Sequence, residues 1–194
     1  MPLLFCCYEA QWSGRAELKQ LQCCESVAVP LILHAQALYC GFYLNELLYR
    51  LLPRQDVDSD FFSLYTQTLL QLQAAEAEPL LRSFELSLLA AMGYGLCFSA
   101  DIYGAALMPA KEYAYLLEQG LIPLDATASS PATVGLGADF LALDRRDFSA
   151  PTTKKLAKQL LRRVLAMYLG GRPLRSREFF APYKPVIKDM VENN

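Results

Sequence analysis

Five basic side chains, Lys154, Lys155, Lys158, Arg162 and Arg163, fall within ten residues. Lys154, Lys158 and Arg162 lie four apart with Lys155 and Arg163 beside them, so on a helix they make one polar face. Arg172, Arg175 and Arg177 follow, then Lys184 and Lys188. Residues 151–194 thus hold ten of the eighteen Lys and Arg against three acids, a local net charge of +7, while the first 150 carry eight basic and seventeen acidic side chains, a net of −9. An overall charge of −2 hides this polarity. A concentrated basic surface is the electrostatic footprint of a polyanion binder, with phosphate the leading ligand. The bland alternative is a solvated face on an exposed helix.

Arg82 is a second candidate, because it enters an otherwise apolar helix beside Phe84, Leu86 and Leu89. A guanidinium at the lip of a groove lined by Leu86 and Leu89 would grip a carboxylate while the groove takes an aromatic side chain. Such a site is expected to be separable from the phosphate surface. The competing possibility is a surface ion pair with Glu78 or Glu85.

Other chemistry is sparse. Six cysteines, paired at Cys6-Cys7 and Cys23-Cys24 with Cys40 and Cys97 apart, follow neither a C-x-x-C metal spacing nor a secreted disulfide framework. Alternation along a strand sends adjacent thiols to opposite faces, so no metal is expected at the two pairs. His34, the single histidine, sits in an apolar stretch without an Asp or Cys partner and reads as a core or boundary residue. Gly93-Tyr94-Gly95 lacks the strand-to-helix context and the Lys of a phosphate loop and reads as a helix stop. No nucleophile, base and oxyanion donor assemble, so neither an enzyme nor a cofactor is expected.

The elements that must position these groups are mostly helical. Ser26 to Asn45 carries no formal charge, but Pro30, His34, Gln36, Asn45 and the following Glu46 make a buried central helix more apt than a membrane span. Pro30 suits its first turn and Pro53 its stop. Asp58 or Ser59 is placed to cap a helix through Phe61, Tyr65, Leu69 and Leu72. Glu78-Pro79 opens another to Met92, closed by Gly93. Lys111 to Leu124 reads as a hairpin, Asp125 to Gly137 as a surface loop, Ala138 to Phe148 as a short helix, and Pro151 opens the long basic helix. In that helix Leu156, Leu160, Val164 and Met167 face the core, Gly170-Gly171 ends it, and Ser176 is placed to cap the next turn. Leu3 to Gln11 and Ala16 to Cys24 read as two strands joined at Trp12-Ser13-Gly14-Arg15, a hairpin that needs support from elsewhere. The start has no basic signal-peptide region, and the thiol pattern suits a reducing cytoplasm.

Three strings resemble, in order, the characteristic blocks of the bacterial RecO family of DNA repair and recombination proteins. They are Tyr43-Leu44-Asn45-Glu46-Leu47-Leu48, then Arg82-Ser83-Phe84-Glu85-Leu86-Ser87-Leu88-Leu89 with Gly93-Tyr94-Gly95, then Tyr168 to Phe180. The likeness covers nearly all the chain after about residue 25. It implies a mostly α fold: residues 26–194 form a helical-bundle C-terminal domain with a short β/loop insertion around 97–137. Residues 1–25 would be the last strands of an OB-fold whose front is missing. It further implies binding of single- and double-stranded DNA through Lys154, Lys155, Lys158, Arg162, Arg163, Arg172, Arg175 and Arg177, strand annealing, and work with RecR in loading recombinase onto DNA covered by single-stranded-DNA-binding protein (SSB). Arg82, Leu86 and Leu89 would hold the acidic SSB tail, which ends in an aromatic residue with a free carboxylate. Some members carry a four-cysteine zinc site after the Gly-Tyr-Gly block, but only Cys97 stands there, so no zinc is expected. A reading from a different class is a helical interaction module whose basic face meets an acidic protein.

Overall fold

A computed structural model describes residues 3–15, 18–52, 59–124 and 133–180. Asp58, Lys184, Lys188 and the loop residues 125–132 lie outside that set. Among the described residues, five helices, α1 (Ala35–Leu51), α2 (Ser59–Gln71), α3 (Ala77–Ala91), α4 (Gly137–Asp144) and α5 (Pro151–Tyr168), make the fold mostly α, preceded by a β-hairpin.

Periodicity explains the packing. In α1, Cys40, Tyr43, Leu44, Leu47 and Leu51 are buried, three or four residues apart. In α5, which Pro151 opens at its first turn, Leu156, Leu160, Leu161, Val164 and Leu165 form the inward stripe. Met167 is only half-buried, at the edge of that stripe. These rows meet Phe84, Leu88 and Leu89 of α3 and Phe140 and Leu143 of α4 in a fully enclosed core. Helix α3 ends as its sequence suggests: Gly93 takes φ 81°, and the Tyr94 N–H donates to the Leu89 carbonyl at 2.8 Å.

Where sequence and structure differ, hydrogen bonding supplies the reason. Pro30 does not begin α1. The chain stays extended to His34 because the Val27 and Leu31 N–H groups donate to the carbonyls of Cys7 (3.0 Å) and Phe5 (2.9 Å). Of the two positions expected for His34, core or boundary, it therefore takes the second, as an exposed residue at the helix entrance. The N-terminal hairpin forms from β1 (Tyr8–Ser13) and β2 (Gln20–Ser26), shifted toward the C-terminus from the expected strands, with a bulge at Gln11/Trp12. Trp12 and Ser13 lie in β1 instead of in the turn.

The expected hairpin after Lys111 forms from β3 (Glu112–Leu116) and β4 (Gly120–Pro123). The supposed loop ends in a third strand, β5 (Thr133–Leu136), on the other edge of β3. Thr133 and Val134 are β-branched and pair with Tyr115 and Ala114; the surrounding Ala, Ser and Pro conceal so short a strand. No described helix is long and apolar enough to cross a membrane.

Candidate functional site

Helices α1 and α3 pack together and share one buried acid. Glu85 is 0% exposed, and its carboxylate accepts hydrogen bonds from the Tyr43 hydroxyl at 2.5 Å and Arg82 Nη1 at 2.6 Å. A buried carboxylate is tolerable only with such partners. Burial pushes its carboxyl up from the usual range, opposed by the Arg82 charge and the Tyr43 bond. Burial likewise raises the Tyr43 phenol, and the Glu85 charge adds to it, so Tyr43 remains a donor. The Arg82 side chain is 11% exposed, and among the described residues nothing accepts a hydrogen bond from its buried Nε. Arg82 therefore reaches the surface from a fixed, partly desolvated position.

The third participant comes from beyond α5. After Tyr168 the chain reverses at Gly170 and Gly171, both with positive φ (63° and 73°), and re-forms as a 3₁₀ turn, Arg175–Phe180, against α1. Two α1 side chains hold it there. Glu46 accepts from the N–H of Arg175 (2.9 Å), the N–H of Ser176 (2.8 Å) and the Ser176 hydroxyl (2.6 Å). Arg50 donates to the carbonyls of Leu169, Arg172 and Pro173. Ser176 is thus not a cap on its own turn, as expected, but a donor to α1. Burial alone would raise the Glu46 carboxyl, yet the Ser176 and Arg175 bonds and the Arg50 charge hold it below its ordinary value of 4.5. Phe179 stacks on Tyr39 at 5.5 Å, and the Arg177 guanidinium lies 5.9 Å from the Tyr43 ring centre, within cation–π range.

These contacts frame a cleft of about 480 Å³. Arg82, Lys158, Arg162 and Arg177 line it, with Tyr43, Leu81 and Phe180 as its apolar part and Glu78 as its single acid among the described residues. Four cations against one carboxylate leave it net positive. Its size suits a short peptide end or a nucleotide segment.

The predicted basic residues divide in space. Lys158 and Arg162 line the cleft; Lys158 Nζ is 3.5 Å from Glu78, and among the described residues Arg162 has no carboxylate partner. Lys154 is bound to Glu76, at 2.8 and 2.9 Å. Arg163 donates to Thr133 Oγ1 at 3.0 Å, toward β5. Lys155, Arg172 and Arg175 are exposed outside the cleft lining. Leu86 and Leu89, expected to line a groove, are 5% and 0% exposed and belong to the core. They share the Arg82 face of α3 but lie one and two turns further along, where α3 is closed over by its neighbours. Leu81, Tyr43 and Phe180 take the place intended for them.

The competing possibility for Arg82, an ion pair with Glu85, is present, but buried rather than on the helix surface; the Tyr43 partner of that acid and the Glu46–Arg50 clasp carry no signal in the sequence. Glu85 was within reach of Arg82 in sequence, but nothing along the chain reveals Tyr43, 42 residues away. The three blocks that carry the family resemblance meet here, through Tyr43 and Glu46, Arg82 and Glu85, and Arg175 to Phe180.

A second cavity, of about 420 Å³, lies on the other side of α5. Tyr94 and Tyr168, stacked at 4.2 Å, line it with Tyr115, Cys97, Asp101 and Glu118. Hydrogen bonds from the Ser99 side chain and backbone hold the Cys97 thiol below its usual range.

Known proteins similar to this chain agree on one family. The family model for the C-terminal part of recombination protein O matches residues 34–178. The DNA repair protein RecO of Pseudomonas paraeruginosa is 44% identical over 182 residues, covering 93% of this chain and 77% of the relative. RecO of Methylococcus capsulatus is 44% identical over 171 residues, 87% of this chain and 69% of its own length. RecO of Actinobacillus pleuropneumoniae is 38% identical over 178 residues, 90% and 73% of the two chains.

Proposed function

This chain belongs to the RecO family of DNA repair proteins, and on that premise we propose that it is a recombination mediator of the bacterial cytoplasm. It binds single- and double-stranded DNA through the exposed Lys and Arg of α5 and the segment after it. It seats the acidic C-terminal tail of SSB in the cleft beside Arg82, anneals strands, and works with RecR in helping recombinase onto SSB-covered DNA. Its role is binding rather than catalysis. Family membership carries the DNA repair role; the cleft supports the finer reading.

The observation that carries the reading is the convergence of Arg82, Lys158, Arg162 and Arg177 on a cleft that also presents Tyr43 and Phe180. Cations satisfy carboxylate or phosphate, and the aromatic and Leu81 surface accepts an apolar terminal side chain. Arg82 is suited to a carboxylate because the buried Glu85 holds its guanidinium in one orientation, so little rotamer freedom is lost on binding.

The test is a salt titration of labelled oligonucleotide binding. Phosphate contacts give a log–log slope of about −0.7 per contact on single strands, and the affinity grows with oligonucleotide length. In parallel, Arg82→Ala is expected to abolish binding of a short Asp-rich peptide ending in phenylalanine. A shallow slope with no length dependence would instead favour an acidic protein as the partner of the basic face.

A further inference from the structure

Lys158 and Arg162 were expected on a phosphate-tracking helix face and Arg82 in a separate groove. The cleft contains all three, with Arg177 completing the ring. Three cations of the expected DNA surface, Lys158, Arg162 and Arg177, are thus, among the described residues, also the tail site's only cations besides Arg82. The other five expected there, Lys154, Lys155, Arg163, Arg172 and Arg175, do not line it.

We propose that acidic tail and DNA occupy this cleft alternately, so that each ligand releases the other. The inference rests on the tail-and-DNA reading above and adds how the two bindings are coupled. A volume of about 480 Å³ accepts one chain segment at a time. A second polyanion would meet the first at a few ångströms, where like charges repel by about 1 kcal/mol even at the dielectric of water and more in a partly dry cleft. The cations that would offset that repulsion are already engaged. Coupling between two ligands is reciprocal, so tail occupancy must weaken DNA binding by the same factor by which DNA weakens the tail. The consequence is a hand-off. The tail holds the protein at an SSB-covered strand, and engagement of bare phosphates by Lys158, Arg162 and Arg177 lets the tail go.

The experiment uses the full chain, a fluorescein-labelled Asp-rich peptide ending in phenylalanine, and an unlabelled oligothymidylate, at fixed ionic strength. Peptide anisotropy is read as the oligonucleotide is added. Exclusive occupancy makes the apparent peptide Kd rise linearly with free DNA and without a plateau, by about tenfold when DNA is at ten times its own Kd. A plateau, or a ternary complex that keeps the peptide bound on saturating DNA, overturns the proposal while leaving both bindings intact. Failure of the unmodified chain to bind the peptide or the DNA at all removes the underlying reading, and the alternation with it. Two single-charge variants of α5 add a second readout. Arg162→Gln, inside the cleft, is expected to weaken both ligands, whereas Lys155→Gln, outside it, weakens DNA alone. Arg162→Gln with undiminished peptide affinity would also overturn exclusivity, provided its melting temperature matches that of the unmodified chain.

Discussion

Two cavities of similar volume, about 480 and 420 Å³, open on opposite faces of α5. Lys158 and Arg162 look into one; Val164, Met167 and Tyr168 look into the other. The first gathers four cations and one acid, the second Asp101 and Glu118 among tyrosines. Volume therefore does not distinguish them as anion sites. Charge does, and so does rigidity: the cationic cleft rests on a buried acid with two strong donors, while the other is floored by a stacked tyrosine pair.

Glu85→Ala should break the contrast most severely. It leaves the Arg82 guanidinium desolvated with no carboxylate, which costs about 3–5 kcal/mol of unfolding free energy. Tyr43→Phe, which removes one of the two donors to that acid, should cost about 1–3 kcal/mol. Urea denaturation reads both, and a loss from Glu85→Ala below that from Tyr43→Phe would mean that the acid is not what fixes Arg82.

Exchanging Lys158 and Arg162 together for Gln is expected to lower the DNA salt slope by roughly two units on duplex DNA, at nearly unchanged stability. Glu118→Gln, across the helix, should leave DNA affinity where it was. Equal effects from the two changes would show that DNA senses net charge alone, and the cleft would lose its claim.

The acid limb of stability sharpens the comparison further. Because Glu46 titrates below its unfolded value of 4.5 when folded, its contribution is present above about pH 4.5 and is lost as pH falls through the lowered value. Glu46→Gln should lower the melting temperature at pH 7 and flatten its decline in acid. Parallel pH curves for the two proteins would remove the clasp from the account.

Tyr94→Ala in the second cavity carries the smallest effect. Loss of the stack with Tyr168 should cost about 1 kcal/mol and change neither DNA nor peptide binding. A peptide-binding defect in that variant would place the tail on the wrong side of α5.

Much of the helical frame was legible because α1, α3 and α5 each repeat apolar residues at a helical period over four turns or more. The short strand at Thr133–Leu136 was not, since four residues among Ala, Ser and Pro give no period to read. The start of α1 is not legible, because Pro30 is compatible with a first helical turn, and only the bonds from Val27 and Leu31 back to Cys7 and Phe5 keep that segment extended. The basic face could be read from α5 alone. The partition of its charges could not, because Glu76, Glu78 and Thr133, which engage Lys154, Lys158 and Arg163, lie some 30 to 80 residues away. The lone charge of Arg82 marks it in the sequence, but the place of Leu86 and Leu89 in the core is not legible there, because helical spacing shows which face they share and not where a neighbour closes over it.

The Glu46–Arg50 clasp has a consequence for the order in which the protein becomes functional during synthesis. It joins residues 119 to 130 positions apart, so the cleft's far wall, Arg177 and Phe180, is nearly the last described part of the chain to leave the ribosome. A nascent chain that has already folded α1 and α3 displays Arg82 but no cleft. Closing so long a loop is slow relative to local helix formation. Ligand capture is therefore deferred until the segment through Phe180 has been made, and a chain interrupted before Gly170 keeps much of its core yet never acquires the pocket.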